Sequence, residues 1–201
     1  KFGSYASLLG HPRWKRHAWF ALIACSAGII GLWGIGNFHP TIVRSLVGEH
    51  LAAKNLSAAD LAREKAFWGS VGLLLQNVGA FFGMVLSGIV AQRLGRRTAF
   101  AIAFTLGMIS TASVFWFFDS RSEVFWLIPL MGVCLLSIFG CLAIYFPELF
   151  PTRLRSTGTS FCYNVGRFVA AVGPAIFGVL TSSVFHNEKE PMRYAGVTMC
   201  A

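Results

Sequence analysis

The sequence predicts an all-α fold, a polytopic bundle of membrane-crossing helices, and three observations carry that reading. Of 201 residues, 55% are hydrophobic and only 12% charged, with a mean hydropathy of +0.63; a soluble domain keeps more charge than this on its surface. The apolar residues gather into five stretches of about twenty or more, the length a helix rising about 1.5 Å per residue needs to cross a bilayer core. The basic residues, which give a net charge of +9, lie in short clusters between those stretches. They read as anchors against anionic lipid and not as the continuous basic face of a nucleic-acid binder.

In chain order the expected spans run over 18–37, 67–91, 99–118, 124–146 and 157–185, with a sixth beginning near Tyr194. Residues 1–17 are expected to be a cytoplasmic loop remnant and 18–201 a transmembrane unit. The chain starts without Met and ends in an apolar run from Tyr194 to Ala201 too short to span, so a piece of a longer protein is expected. Helix one carries Gly28, Gly31, Gly34 and Gly36, which suits either a bendable helix or simple tight packing. Gly79 and Gly83 in helix two form a G-x-x-x-G pair for close backbone approach. Gly173-Pro174 is expected to kink helix five, because proline removes a helical hydrogen bond and collides with the preceding turn. The stretch from Pro40 to Ala66 is read as one long loop. At its end Ser57-Ala-Ala-Asp60 fits a capping box, which would start helix two outside the bilayer near Ala58, or is an accidental match in a solvated loop.

The connections set orientation. Lys1, Arg13, Lys15, Arg16, Arg93, Arg96, Arg97, Arg153 and Arg155 fall on one side. The other side carries Arg44, Lys54, Arg63, Lys65, Arg121, Lys189 and Arg193, four of them in the long loop, where the positive-inside rule is weak. The short-loop evidence places the amino end and loops 92–98 and 147–156 in the cytoplasm. Five cysteines lie inside apolar runs without a C-x-x-C, and the five histidines are scattered; no haem or metal ligand set is read here, and the cysteines read as small hydrophobes. No cofactor is expected.

Two loop segments and one helix carry a resemblance. Gly88-x-x-x-Gln92-Arg93-Leu94-Gly95-Arg96-Arg97 resembles the G-x-x-x-D-R-x-G-R-R/K signature between the second and third helices of each half of the major facilitator superfamily. Gln92 stands where that signature has Asp, an acid that the resemblance implies helps latch the loop to a neighbouring helix end. Pro147-Glu148-Leu-Phe-Pro151-Thr-Arg153-Leu-Arg155-Ser-Thr-Gly158 is similar to the segment after the tenth helix of sugar porters and metabolite:proton symporters. Here proline is expected to stop the helix, Glu148 to pair with a loop arginine, and Gly158 to let the next helix enter closely. Phe161-Cys-Tyr163-Asn164-Val-Gly166-Arg167, followed by Gly173-Pro174, is similar to the eleventh helix of symporters for organic anions, sialate and aromatic acids. The resemblance implies the carboxy-terminal half of a twelve-helix transporter, from helix seven to the start of twelve. It also implies a missing amino-terminal half, a central cavity and alternating access.

Arg167 is the only charge inside the expected spans. Ten residues beyond Thr157, it lies about 15 Å deep, where a charge costs at least about 2.5 to 3.5 kcal/mol unless it meets water or a partner. A guanidinium facing a cavity would grip a carboxylate; the alternatives are an ion pair with the missing half or snorkelling to the interface. Asn164 shares its helical face. Gln76 and Asn77 sit at mid-depth in helix two, as substrate contacts or, the commoner use of a buried amide, as interhelical hydrogen bonds. Trp33 and Tyr145 are candidate cavity walls or interfacial anchors, and Trp14, Trp19, Trp68 and Trp126 fit the interfacial belt. Asn37 and His39 close helix one before Pro40. The function these residues imply is secondary active transport of a small polar metabolite, an organic acid, coupled to protons, in the plasma (inner) membrane. A sugar porter is the alternative, as is a non-transporting sensor on the same helices. An enzyme would need acids, histidines or a nucleophile converging with Arg167 in the spans, and the sequence offers none.

Overall fold

The computed structural model describes residues 3–52, 57–118, 120–188 and 190–200. Lys1, Lys54 and Lys189 lie outside the described residues, as do the side chains of Gly34, Asn37, His50 and Arg121. Among the described residues every regular element is helical. A short α1 (Tyr5–Gly10) leads into α2 (Pro12–Ile29), which continues as a π-helical turn over Ile30–Ile35 and a 3₁₀ turn over Gly36–Phe38. Then come α3 (His39–Ala52), α4 (Ala58–Arg93) and α5 (Arg96–Phe117), a 3₁₀ turn over Arg121–Phe125, and α6 (Leu127–Leu149). The chain closes with α7 (Arg155–Ala170), α8 (Val172–Val179), a π turn over Leu180–Val184, and α9 (Pro191–Cys200). Five segments are long and apolar enough to cross a membrane: Pro12–Trp33, Ala58–Arg93, Arg96–Phe117, Ser122–Leu149 and Arg155–Val184.

The five expected spans are therefore present, with three differences of detail. The first crossing begins at Pro12, six residues earlier than Ala18, because Pro12 fits the first turn, where its missing N–H costs nothing. The stretch 40–66 is not one long loop: α3 occupies His39–Ala52. Its buried Val43 and Val47, four residues apart, pack on the outer end of α4. Pro147 does not stop α6, which runs two residues further to Leu149. The stop falls at Phe150, held extended (φ −116°, ψ 143°) by the clash that Pro151 imposes on the residue before it.

α6 is the central staff, with 56% of its apolar window buried against 22–39% for the other four crossings. It packs most extensively on α4, through glycines. A Cβ on Gly79 or Gly83 would run into the backbone of Pro129 or Val133, and one on Gly132 into the backbone of Gln76. The two helices thus meet backbone to backbone, the close approach expected of the G-x-x-x-G pair. Breaks concentrate instead in α2 and α7. The glycine run of helix one is where α2 widens into the π turn, and Ala171 separates α7 from α8. That second break lies where Pro174 directs it, since proline denies a hydrogen bond to the carbonyl four residues back, at Ala170.

Helix ends meet at two poles. At one, Thr157 donates to the Gly3 carbonyl (3.2 Å) and His17 Nδ1 to the Leu149 carbonyl (3.2 Å), and Arg96 reaches Glu148. At the other, Arg193 donates to the carbonyls of Trp116 (2.7 Å) and Phe118 (3.3 Å), closing the end of α5 with the start of α9. Ser57 caps α4 by accepting from the Asp60 N–H (3.2 Å). The second arm of the expected capping box differs, because the Asp60 carboxylate accepts from the Ser57 hydroxyl (2.6 Å).

Candidate functional site

The breaks in α2 and α7–α8 face each other, and between them opens a recess of about 240 Å³ lined by Ile29, Trp33, Arg167, Ala170, Ala171 and Pro174. Local sequence explains its shape. The π turn at Ile30–Ile35 inserts an extra residue per turn and swings Trp33 outward, exposed. Ala170 and Ala171 keep the opposite wall low, and Pro174 turns α8 away. Arg167, in the last turn of α7, is exposed. Gly166, on the same face as Ala170, lies against Cys25 and Ile29 in the α2–α7 contact. The recess thus offers one cation, one aromatic face and an apolar floor. It can accept a small molecule with a carboxylate at one end and an apolar body at the other.

Of the other sequence-predicted site residues, Asn164 is exposed one turn before Arg167, with its amide donating to the Ser160 hydroxyl (3.0 Å). Gln76 is 5% exposed and sits on the α6 side of α4. Asn77 points outward and donates back to the Leu73 carbonyl (2.7 Å). Neither amide lines the recess. Tyr145 faces a separate groove of about 490 Å³ between α2, α5 and α6, which it shares with His17, Arg97 and Phe100. Ile29, Ala170 and Ala171 were not legible as site residues, since small and aliphatic side chains carry no local signal of a recess.

The basic loop forms a second constellation. α4 ends at Arg93, Leu94 closes the last turn, and Gly95 reverses the chain with φ +85°, a conformation that favours glycine. Arg96 then begins α5 and holds Glu148 in a two-pronged pair, Nε to Oε2 at 3.0 Å and Nη2 to Oε1 at 2.7 Å. The loop arginine expected to pair with Glu148 is therefore Arg96, and the pair joins the two loop motifs across 52 residues of sequence. Gly88 packs on Ile144 at ordinary contact distance, 3.7 Å from a would-be Cβ. Gly158 lies under the Phe150 ring, where a Cβ would approach to 2.6 Å, so the close entry of α7 depends on it. Gln92, Arg93, Arg97, Arg153 and Arg155 are exposed around this pair.

No family model matches the chain, and no solved structure does. Curated relatives do. The chain is 31% identical over 168 residues to the cis,cis-muconate transport protein of Acinetobacter baylyi, covering 81% of this chain and 36% of that protein. It is 28% identical over 114 residues to a probable 4-methylmuconolactone transporter of Cupriavidus pinatubonensis, covering 57% and 27%. It is 33% identical over 121 residues to the inner membrane metabolite transport protein YhjE of Escherichia coli, covering 58% and 27%. The chain spans between about a quarter and about a third of the length of these relatives. All three are named as transporters, and five membrane-crossing segments match part of one half of the twelve-helix fold. The chain is a multi-pass integral membrane protein that belongs to the major facilitator superfamily.

Proposed function

We propose that this chain forms the carboxy-terminal half of a secondary active transporter that carries a small organic acid across the inner membrane by alternating access, coupled to protons. The observation that carries the reading is Arg167. It stands twelve residues into α7, about 18 Å from the start of that helix, and lines a recess with Trp33 in a span without Asp or Glu. A cation held at that depth is costly unless an anion or water meets it. Two relatives are named for muconate and methylmuconolactone, whose small unsaturated skeletons fit a recess with one guanidinium and one indole. Asn164, one turn from Arg167, supplies a second polar contact at the mouth, whereas Gln76, buried on the α6 side of α4, and Asn77, turned outward, are left as structural amides.

In this reading the pole carrying Arg96, Glu148, Arg153 and Arg155 faces the cytoplasm, as the positive-inside rule directs. The Arg96–Glu148 pair serves as the inner latch between the α4–α5 turn and the end of α6. It takes the place of the contact that Gln92 cannot make. A sugar porter is the second reading, favoured by the Pro147–Gly158 segment alone. Full-length protein in liposomes, given labelled cis,cis-muconate and a proton gradient, separates them. Concentrative uptake that is lost in Arg167→Ala, with insertion intact, supports acid transport. Uptake of labelled hexose that survives Arg167→Ala overturns it.

A further inference from the structure

His39 is fully buried where the 3₁₀ turn at Gly36–Phe38 meets α3. Its Nδ1 donates to the Gly36 carbonyl at 2.6 Å, which fixes the proton on that nitrogen in the neutral ring. Nε2 is buried and makes no hydrogen bond in the neutral ring, and the Gly72 backbone is the group that would accept from it once protonated. It points at the Gly72 position of α4, where a Cβ would lie 3.8 Å from it. A buried imidazole nitrogen without a partner is unusual, because it forfeits its hydration and gains nothing. The site is also a junction. It ties the broken end of α2 to the outer hairpin of α3 and α4, in which Arg44 crosses over Gly69 and Lys65 over Gly48.

We propose that His39 is a proton-binding group, and that proton uptake at Nε2 releases the α3–α4 hairpin from the broken end of α2. The charged groups on the elements packed beside α3 include Arg44 on α3 itself, Lys65 on α4, Glu123 in the 3₁₀ turn before α6, and Glu190 with Arg193, which line a pocket with Ile42 and Ser45. Glu190 and Arg193 are joined at 2.9 Å, and the Glu123 carboxylate accepts from the Ser120 N–H at 2.9 Å. The side chains of Glu49 and His50, further along α3, lie outside the described residues. Burial lowers the His39 pKa, and the carbonyls of Gly36 and Gly72 oppose that in smaller measure. The packed arrangement therefore binds fewer protons than an opened one. The contact is complete above the ordinary histidine range and weakens as pH falls through it. In a proton-coupled carrier this supplies a titrating group beside a recess whose lining holds no acid. The inference concerns the hairpin and stands apart from the substrate assigned to Arg167.

The test uses full-length protein in liposomes, with nitroxide labels at Ser45→Cys and Ser70→Cys, both exposed, and with Cys200 replaced. Pulsed electron spin resonance then reads the α3–α4 separation between about pH 8 and about pH 5, the window histidine titrates in. We expect the distribution to lengthen reversibly as pH falls in the wild type, and to stay fixed at its short value in His39→Gln and His39→Asn. An unchanged distribution in the wild type overturns the proposal, as does the same pH-dependent shift in either variant. If neither variant folds, the wild-type titration decides: a midpoint acid of the ordinary histidine range supports it and no shift overturns it. Parallel uptake of cis,cis-muconate keeps the two readings separate. Proton-driven uptake with a pH-insensitive hairpin removes His39 and leaves transport standing. A pH-sensitive hairpin without uptake sustains His39 and removes transport.

Discussion

The α4–α6 seam and the α2–α7 contact are built from the same small residues and do opposite things with them. Along the seam, Gly79, Gly83 and Gly132 bring two unbroken helices into backbone contact, so nothing yields without moving a main chain. Across from it, Gly31 and Gly36 sit in a π turn and a 3₁₀ turn, and the facing helix is interrupted at Ala171. Glycine at a seam makes two rods one. Glycine in an already broken helix lets one rod bend, and the candidate recess lies beside the bend.

The sharpest way to break that contrast is a matched pair of substitutions. Gly83→Val drives a branched side chain into the Val133 backbone, where no flexible side chain can give way, and should cost about 3 kcal/mol or more. Gly31→Ala meets only Leu135 Cδ2 at 3.9 Å and should leave folding intact. The amount of monodisperse protein extracted from membranes reads the difference, and equal yields would erase the distinction between seam and bend. Next in size, Arg167→Ala should lower affinity for a carboxylate probe by about two orders of magnitude, the scale for removing one partner of a charge-assisted pair. Measured binding of cis,cis-muconate checks this, and protein yield should not change. At the inner pole, Glu148→Gln should slow uptake roughly two- to tenfold, the range expected of a residue that biases a conformational equilibrium. The double exchange Arg96→Glu with Glu148→Arg should recover part of that rate, whereas a purely local role predicts no recovery. Smallest, Ser57→Ala removes the cap of α4 at a cost of about 1 kcal/mol, seen as a lowered thermal midpoint with transport unchanged.

How much of this was legible in the sequence depended on how local the cause was. The five crossings are written in runs of apolar residues, and the break before α8 follows from Pro174 alone. The Arg96–Glu148 pair was half legible, because Glu148 announced a partner without saying which arginine. α3 was hidden because Val43 and Val47 are too few to read as a span and sit among charges. What makes them core is the face of α4, a helix that begins only at Ala58. His39 beside Pro40 reads as a helix terminator, and its enclosure depends on Gly72, 33 positions later. The meeting of Trp33 with Arg167 depends on both breaks at once, and no pattern within either helix encodes it.

The length of α4 has a mechanical consequence. Its 36 residues make a rod of about 54 Å, longer than the bilayer core and packed along its middle on α6. One end adjoins the Gly95 reversal and the Arg96–Glu148 pair, and the other carries the His39 contact and the outer hairpin. Pivoting about the seam by about 5° displaces each tip by about 2 Å in opposite directions, from the rod's half-length alone. Two angstroms is more than a hydrogen bond survives. Any tilt of α4 about the seam therefore moves the Arg96–Glu148 pair and the His39 junction in opposite directions.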